Sequence, residues 1–209
     1  MLREVINSAQ RLGVVLTEKS VEQLLQYLDL LRQWNKVHNL CADASYKTML
    51  SYHILDSISV AGCFDIKNKN ILDIGSGAGL PGIPLSIIEP SCNVTLVESK
   101  AKKTAFLNHA INVLKLPNVI AANVRIEALE STNKFNIIIS RAFAELGVLV
   151  KAAVPFCLPD GVIIAMKADC SGLKISDNLN LKCTVVDIKT IKVPGVAAKR
   201  SLVVIKKNT

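Results

Sequence analysis

The residues best suited to hold a ligand lie in one run, Asp73-Ile74-Gly75-Ser76-Gly77-Ala78-Gly79-Leu80-Pro81-Gly82, directly after a short apolar segment. Glycine lets a backbone turn sharply and lets a ligand approach it closely. Ligands of open α/β sheets sit at such strand ends. Gly77, Gly79 and Gly82 satisfy the dinucleotide fingerprint G-x-G-x-x-G, so a pyrophosphate is one candidate ligand. Glu98 follows about 20 residues later, where a bound ribose needs a carboxylate acceptor. Three features favour a sulfonium methyl donor, S-adenosyl-L-methionine, instead. Asp73 stands two residues before the first glycine, as in D-x-G-x-G-x-G. Pro81 and Pro84 remove amide donors from the turn where a pyrophosphate would want them. The end of the chain also reads unlike a second mononucleotide-binding half. A tight turn that binds nothing is the third reading.

Other candidates are scattered. Arg141 follows the fourth apolar run, where a guanidinium can hold a carboxylate or phosphate through paired donors, or simply pair with a nearby acid. Lys102 and Lys103 open a helix, where positive charge is mildly unfavourable, and this suggests phosphate contact rather than a solvated face. His53 is one step from apolar Ile54 and reads equally as a site residue or a boundary core residue. Arg200 with Lys199, and Lys206-Lys207, extend a basic face. Trp34 suits an anchor for the helices better than a base-stacking platform.

These residues need a scaffold, and the pattern supplies one. Leu2–Leu12 suits a helix ended by Gly13. Thr17 is a credible N-cap for the next, in which Val21, Leu24, Leu25, Leu28, Leu31 and Trp34 recur at helical spacing. A third helix is expected over Tyr46–Cys63, with Met49, Leu50, Ile54, Ile58 and Ala61 inward, after a polar connection at Asn35–Ser45. From Asn70 the texture alternates. Ile71–Ile74, Val94–Val97, Val119–Ala122, Ile137–Ile139 and Val162–Met166 read as buried strands. Ile83–Ile88, Ala101–Leu114 and Glu145–Phe156 read as helices between them. That alternation predicts a parallel sheet covered on both faces. Cys183–Val193 and Ser201–Lys206, joined through Pro194-Gly195, predict an antiparallel pair. The expected fold is α/β, a doubly wound Rossmann-like sheet with an antiparallel last strand. Residues 1–64 form a helical extension packed on a core of residues 65–209.

The 209 residues carry 25 basic and 17 acidic side chains, a net charge of +8. A polyanionic partner such as nucleic acid suits that balance. No stretch has the roughly 18 apolar residues of a membrane span, and the N-terminus lacks a signal-peptide core. The six cysteines are dispersed, with no C-x-x-C pair and no histidines gathered near them, so no metal is expected. They read as small core or surface residues of a reducing cytoplasm.

Beyond the glycine loop, the sequence resembles the bacterial 16S ribosomal RNA guanine-N7 methyltransferase family known as RsmG or GidB. Trp34-Asn35-Lys36, Asn39-Leu40, His53-Ile54-Leu55-Asp56-Ser57, Asp73–Pro84, Ile139-Ser140-Arg141-Ala142-Phe143 and Arg200–Lys206 match in order and spacing over nearly the whole chain. The sequence departs from the family at Cys41, where Thr is usual, at Tyr52, where Arg is usual, and at Ala168, where Gly is usual. The resemblance implies a class I methyltransferase core that binds S-adenosyl-L-methionine through Gly75, Gly77, Gly79, Leu80, Glu98, Ile126, Glu127 and Arg141, with Ile126 and Glu127 at the adenine. His53, Lys102, Lys103 and Arg200 are the candidates for RNA contact. The implied partner is 16S ribosomal RNA or the 30S subunit, and the protein itself is expected to be a monomer. Guanine N7 carries a free lone pair, so no dedicated catalytic base is expected and positioning suffices. A methyltransferase of another substrate class, and a non-catalytic RNA- or nucleotide-binding module, remain the alternatives.

Overall fold

The computed structural model describes residues 2–38, 45–130, 132–141, 143, 145–168, 170, 172–173 and 183–208. Asn39, Leu40, Cys41 and Ala142 of the motifs above lie outside the described residues. The chain opens with α1 (Leu2–Gln10) and α2 (Glu18–His38). Gly13 adopts φ 75° after α1. Thr17 caps α2, its hydroxyl oxygen accepting from Ser20 N at 3.1 Å. The predicted single helix over Tyr46–Cys63 is instead three pieces: α3 (Tyr46–Met49), a π-helical segment (Leu50–Leu55) and α4 (Asp56–Ile58). The Asp56 amide donates to the carbonyls of both His53 and Ser51, the second an i→i−5 bond. Such an insertion leaves composition and apolar spacing nearly intact, so the sequence alone reads as one helix.

The core follows as β1 (Asn70–Ile74), α5 (Gly82–Ile88), β2 (Asn93–Val97), α6 (Ala101–Leu114), β3 (Val119–Ala122), β4 (Phe135–Ser140), α7 (Leu146–Ala153), β5 (Cys157–Lys167), β6 (Cys183–Ile191) and β7 (Arg200–Lys207). The seven strands pair in the order β3-β2-β1-β4-β5-β7-β6. β1 to β5 are parallel, and β7 runs antiparallel to both β5 and β6. The expected antiparallel pair is present, with β7 inside and β6 at the edge.

Alternate strand residues feed two cores, as the pleat requires. Ile71, Val94 and Ile139 face one side with α2, α5 and α6. Leu72, Val97 and Ile138 face the other with α7. The N-terminal helices share the first core. Leu24, Tyr27 and Leu28 of α2 are fully buried in the same cluster as Ile83 and Phe106. Trp34 meets Phe106 edge-on at 5.5 Å between ring centres, which anchors α2 on α6.

Candidate functional site

The loop between β1 and α5 is tied down at both ends. Gly75 N and Ser76 N donate to Val97 O at 2.9 and 3.1 Å, joining the loop to the end of β2. Gly79 N and Leu80 N both donate to Ser76 O, at 2.7 and 3.0 Å. Gly79 has φ +87°, and a Cβ there would lie 2.5 Å from Ile83 Cδ1. Both the dihedral and the space therefore demand glycine. Gly79 and Leu80 are buried under the loop and shape it, whereas Gly75 and Gly77 are partly exposed.

The amides of this loop decide between the two fingerprints. Gly82 N donates to Asp73 Oδ2 at 2.9 Å. Ile83 N is taken by Gly79 O at 2.8 Å and Leu85 N by Pro81 O at 3.2 Å. Pro81 and Pro84 have no N–H. A pyrophosphate at a helix N-terminus depends on such donors being free, and here they are occupied or missing. The turn therefore offers a ligand close backbone approach rather than anion-binding donors.

Glu98, only 7% exposed, stands at the end of β2. Its Oε2 accepts from Gly77 N at 3.0 Å and its Oε1 from Lys100 N at 2.8 Å. Asn123 Nδ2 donates to the Glu98 carbonyl at 3.0 Å and to Thr104 Oγ1 at 3.0 Å, which fixes the backbone beneath the carboxylate. Each carboxylate oxygen keeps a second lone pair for a ligand hydroxyl. A cleft of about 200 Å³ opens here between Gly75, Glu98, Val124, Ile126, Glu127 and Phe143. Ile126 is buried and Glu127 exposed on the short 3₁₀ turn Ile126–Ala128. This gives the cleft an apolar wall with a polar rim.

Asp73 lies beneath the loop with no solvent exposure. Burial pushes its carboxyl up to about 7, against the pull of the Gly82 amide and Arg141. Its Oδ1 is buried without a hydrogen-bond partner.

A second cavity of about 260 Å³ lies at the ends of β4 and β5, lined by Tyr52, His53, Asp56, Arg141, Lys167 and Arg200 among others. Lys167 Nζ donates to Phe143 O at 2.6 Å and so links the two walls. Arg141 Nη1 donates to Tyr52 O at 3.0 Å and lies 3.4 Å from Asp56 Oδ2.

The sequence-derived candidates therefore divide. Gly75, Glu98, Ile126 and Glu127 meet in the first cleft. His53, Arg141 and Arg200 meet in the second. Arg141 is paired with an acid, Asp56. Lys103 Nζ lies 3.7 Å from where a Gly77 Cβ would be, so it covers the loop. Lys102 is exposed and lines neither cavity.

Three positioning groups were not singled out by the sequence. Asp56 carried a signal, since it sits inside the HILDS motif. Asn123 carried none. Tyr27 carried a weak one, because a tyrosine on an apolar helix face must find a partner for its hydroxyl. It does: Tyr27 Oη donates to Ala78 O, so α2 grips the glycine loop. Tyr27→Phe is expected to lower unfolding free energy by about 1–2 kcal/mol, because it strands a buried carbonyl. Urea denaturation measures this.

Residues 20–203 match the family described as GidB, rRNA small subunit methyltransferase G. The chain is 42% identical to "Ribosomal RNA small subunit methyltransferase G" of Nitrosococcus oceani, over 92% of this chain and 88% of that one. It is 38% identical to the protein of the same name from an Enterobacter strain, over 100% and 99%. Among solved structures, a precorrin-6y methyltransferase of Geobacter metallireducens matches with a TM-score of 0.51 at 11% identity, covering 83% of this chain and 92% of that one. That last likeness is one of fold alone. Family match and relatives agree over most of the length, and the chain belongs to the GidB family, rRNA small subunit methyltransferase G.

Proposed function

We propose that this protein transfers a methyl group from S-adenosyl-L-methionine to N7 of a guanine in 16S ribosomal RNA. The observation that carries the reading is the Glu98 cleft beside a helix start whose amides are bonded within the fold or missing. It offers a ribose acceptor and an apolar slot, with no free donor at Gly82, Ile83 or Leu85 for a pyrophosphate. The relatives' names support ribosomal RNA as the substrate, and the sequence resemblance supports guanine N7.

The bound donor supplies an electrophilic methyl group. The chain's residues do the rest. Glu98 accepts the ribose hydroxyls. Val124 and Ile126 wall the adenine slot, with Glu127 at its rim. Gly75 and Gly77 permit close backbone approach, while Gly79 and Leu80 hold the loop in shape. His53, Arg141 and Arg200 line the second cavity, which takes an oxyanion of the RNA or of the donor, while Lys103 over the loop and exposed Lys102 reach for RNA phosphate. N7 needs no deprotonation before attack, so these residues act by placing the base in line. The guanine must be unpaired or flipped to reach the cleft. The protein acts as a monomer in the cytoplasm, on 16S RNA or the 30S subunit.

The test is transfer of tritium from labelled donor to 30S subunits lacking the modification. Label in 7-methylguanosine is expected. Donor binding without transfer to 30S subunits or 16S RNA would refute the substrate assignment.

A further inference from the structure

The second cavity contains a carboxylate that a basic RNA-facing surface would be better without on charge alone. Asp56 is 3% exposed and sits between two arginines from different strand ends. Arg141 follows β4 and Arg200 opens β7, with β5 between those strands. Arg141 Nη1 is 3.4 Å from Asp56 Oδ2, and Arg200 Nε is 3.4 Å from Oδ1. The Arg200 guanidinium also lies over the Tyr52 ring, 5.4 Å from its centre. Two cations surround one anion, and Lys167 lines the same cavity.

The pairing is incomplete. Arg200 Nε and Asp56 Oδ1 are within ion-pair distance, yet both are buried without a hydrogen-bond partner. Burial holds the Asp56 carboxyl above the usual carboxylate range, and the two guanidiniums offset this only in part. A buried carboxylate in this position is held at a desolvation cost, and it pairs with the guanidiniums of Arg141 and Arg200. The π-helical segment is what brings it here, since the extra residue per turn ends at the Asp56 amide.

We infer that Asp56 is a positioning residue, which holds Arg141 and Arg200 as one preset pair of guanidiniums for an oxyanion entering this cavity. The inference rests on the proposed function for the identity of that oxyanion, either a phosphate of the RNA or the carboxylate of the methyl donor. Without Asp56 the two cations repel each other across the end of β5 and lose their common geometry. Asp56 itself does not touch the oxyanion and acts only through the arginines.

Charge alone and positioning predict opposite signs. Removing a negative charge from a basic cavity should tighten RNA binding if charge alone matters. Positioning predicts weaker binding. The experiment compares Asp56→Asn with the unmodified protein in two titrations, one with a 16S RNA fragment and one with S-adenosylhomocysteine. A loss of about tenfold is expected in one of them, the scale of a charge-assisted hydrogen bond. Loss for RNA alone identifies the phosphate, and loss for S-adenosylhomocysteine alone identifies the donor's carboxylate. Tighter RNA binding, or no loss in either titration, overturns the inference. Should Asp56→Asn fail to fold, Arg141→Lys and Arg200→Lys keep the charge but lose the planar fork. Each is expected to show a comparable loss. Lysine variants that bind both ligands like the unmodified protein overturn the inference. These titrations do not depend on methyl transfer, so a failed transfer assay leaves their outcome readable.

Discussion

Replacing Glu98 with alanine is expected to weaken binding of S-adenosylhomocysteine about a hundredfold, the sum of one or two charge-assisted hydrogen bonds to a ribose. The carboxylate does two jobs at once. It faces the cleft, and it accepts the amides of Gly77 and Lys100, so it also sets the loop. Alanine removes the ligand's acceptor and leaves both amides to water. Glu98→Gln keeps the shape but replaces one carboxylate oxygen with an NH2 donor and so leaves one good acceptor; a smaller loss of about tenfold is expected. Calorimetric titration of both variants, with thermal unfolding run in parallel, separates the ligand contact from loop disorder. Unchanged affinity in Glu98→Ala would remove this residue from the cofactor site.

The second large effect concerns Asp73. Its carboxyl titrates near 3.8 in an unfolded chain and at about 7 in the fold. Below both values the group is neutral in both states and imposes no penalty. Between them the native state holds a proton that the unfolded chain has released, so stability falls as pH rises. Above about 7 the native state must bury the charge, and the penalty is complete. The difference corresponds to roughly 4 kcal/mol. Asp73→Asn still accepts from Gly82 N and buries no charge. Relative to the unmodified protein, the variant is therefore expected to gain up to about 4 kcal/mol between pH 4 and pH 8. Urea denaturation at several pH values measures the difference, and parallel pH profiles would contradict the assignment.

Most of the scaffold was legible because its strands are buried on both faces and read as short apolar runs. α6 begins and ends where its composition says, at Ala101 and Leu114. Other limits were not legible. β5 starts at Cys157, five residues before the apolar run, because Pro159, Asp160 and Gly161 fall beside a register shift opposite Phe135 and Ile137. Such residues are tolerated in a strand at an irregularity of this kind. The antiparallel pair was legible, while its placement needed attention to β7, whose buried run Ser201–Ile205 marks an inner strand. β6 carries exposed and half-buried residues among its buried ones, as suits an edge.

The site was legible in part, and the division has a physical cause. Glu98 and the glycines lie close together in sequence because one βαβ unit builds that cleft. The second cavity joins Asp56, Arg141 and Arg200 across three separate segments, and nothing in local spacing pairs residues 85 positions apart. Arg141 showed its type and place, but not its partner. The π-helical segment that turns Asp56 inward has no compositional mark of its own.

Mass mapping of the RNA itself tests methylation of guanine N7 in small-subunit RNA most directly. 30S subunits lacking the modification are incubated with this protein and S-adenosyl-L-methionine, and the 16S RNA is digested and mapped by mass against a control without protein. A single guanine carrying one added methyl group, released as 7-methylguanine, is the expected result. An unchanged map, or a methyl group on any other atom or base, would contradict it.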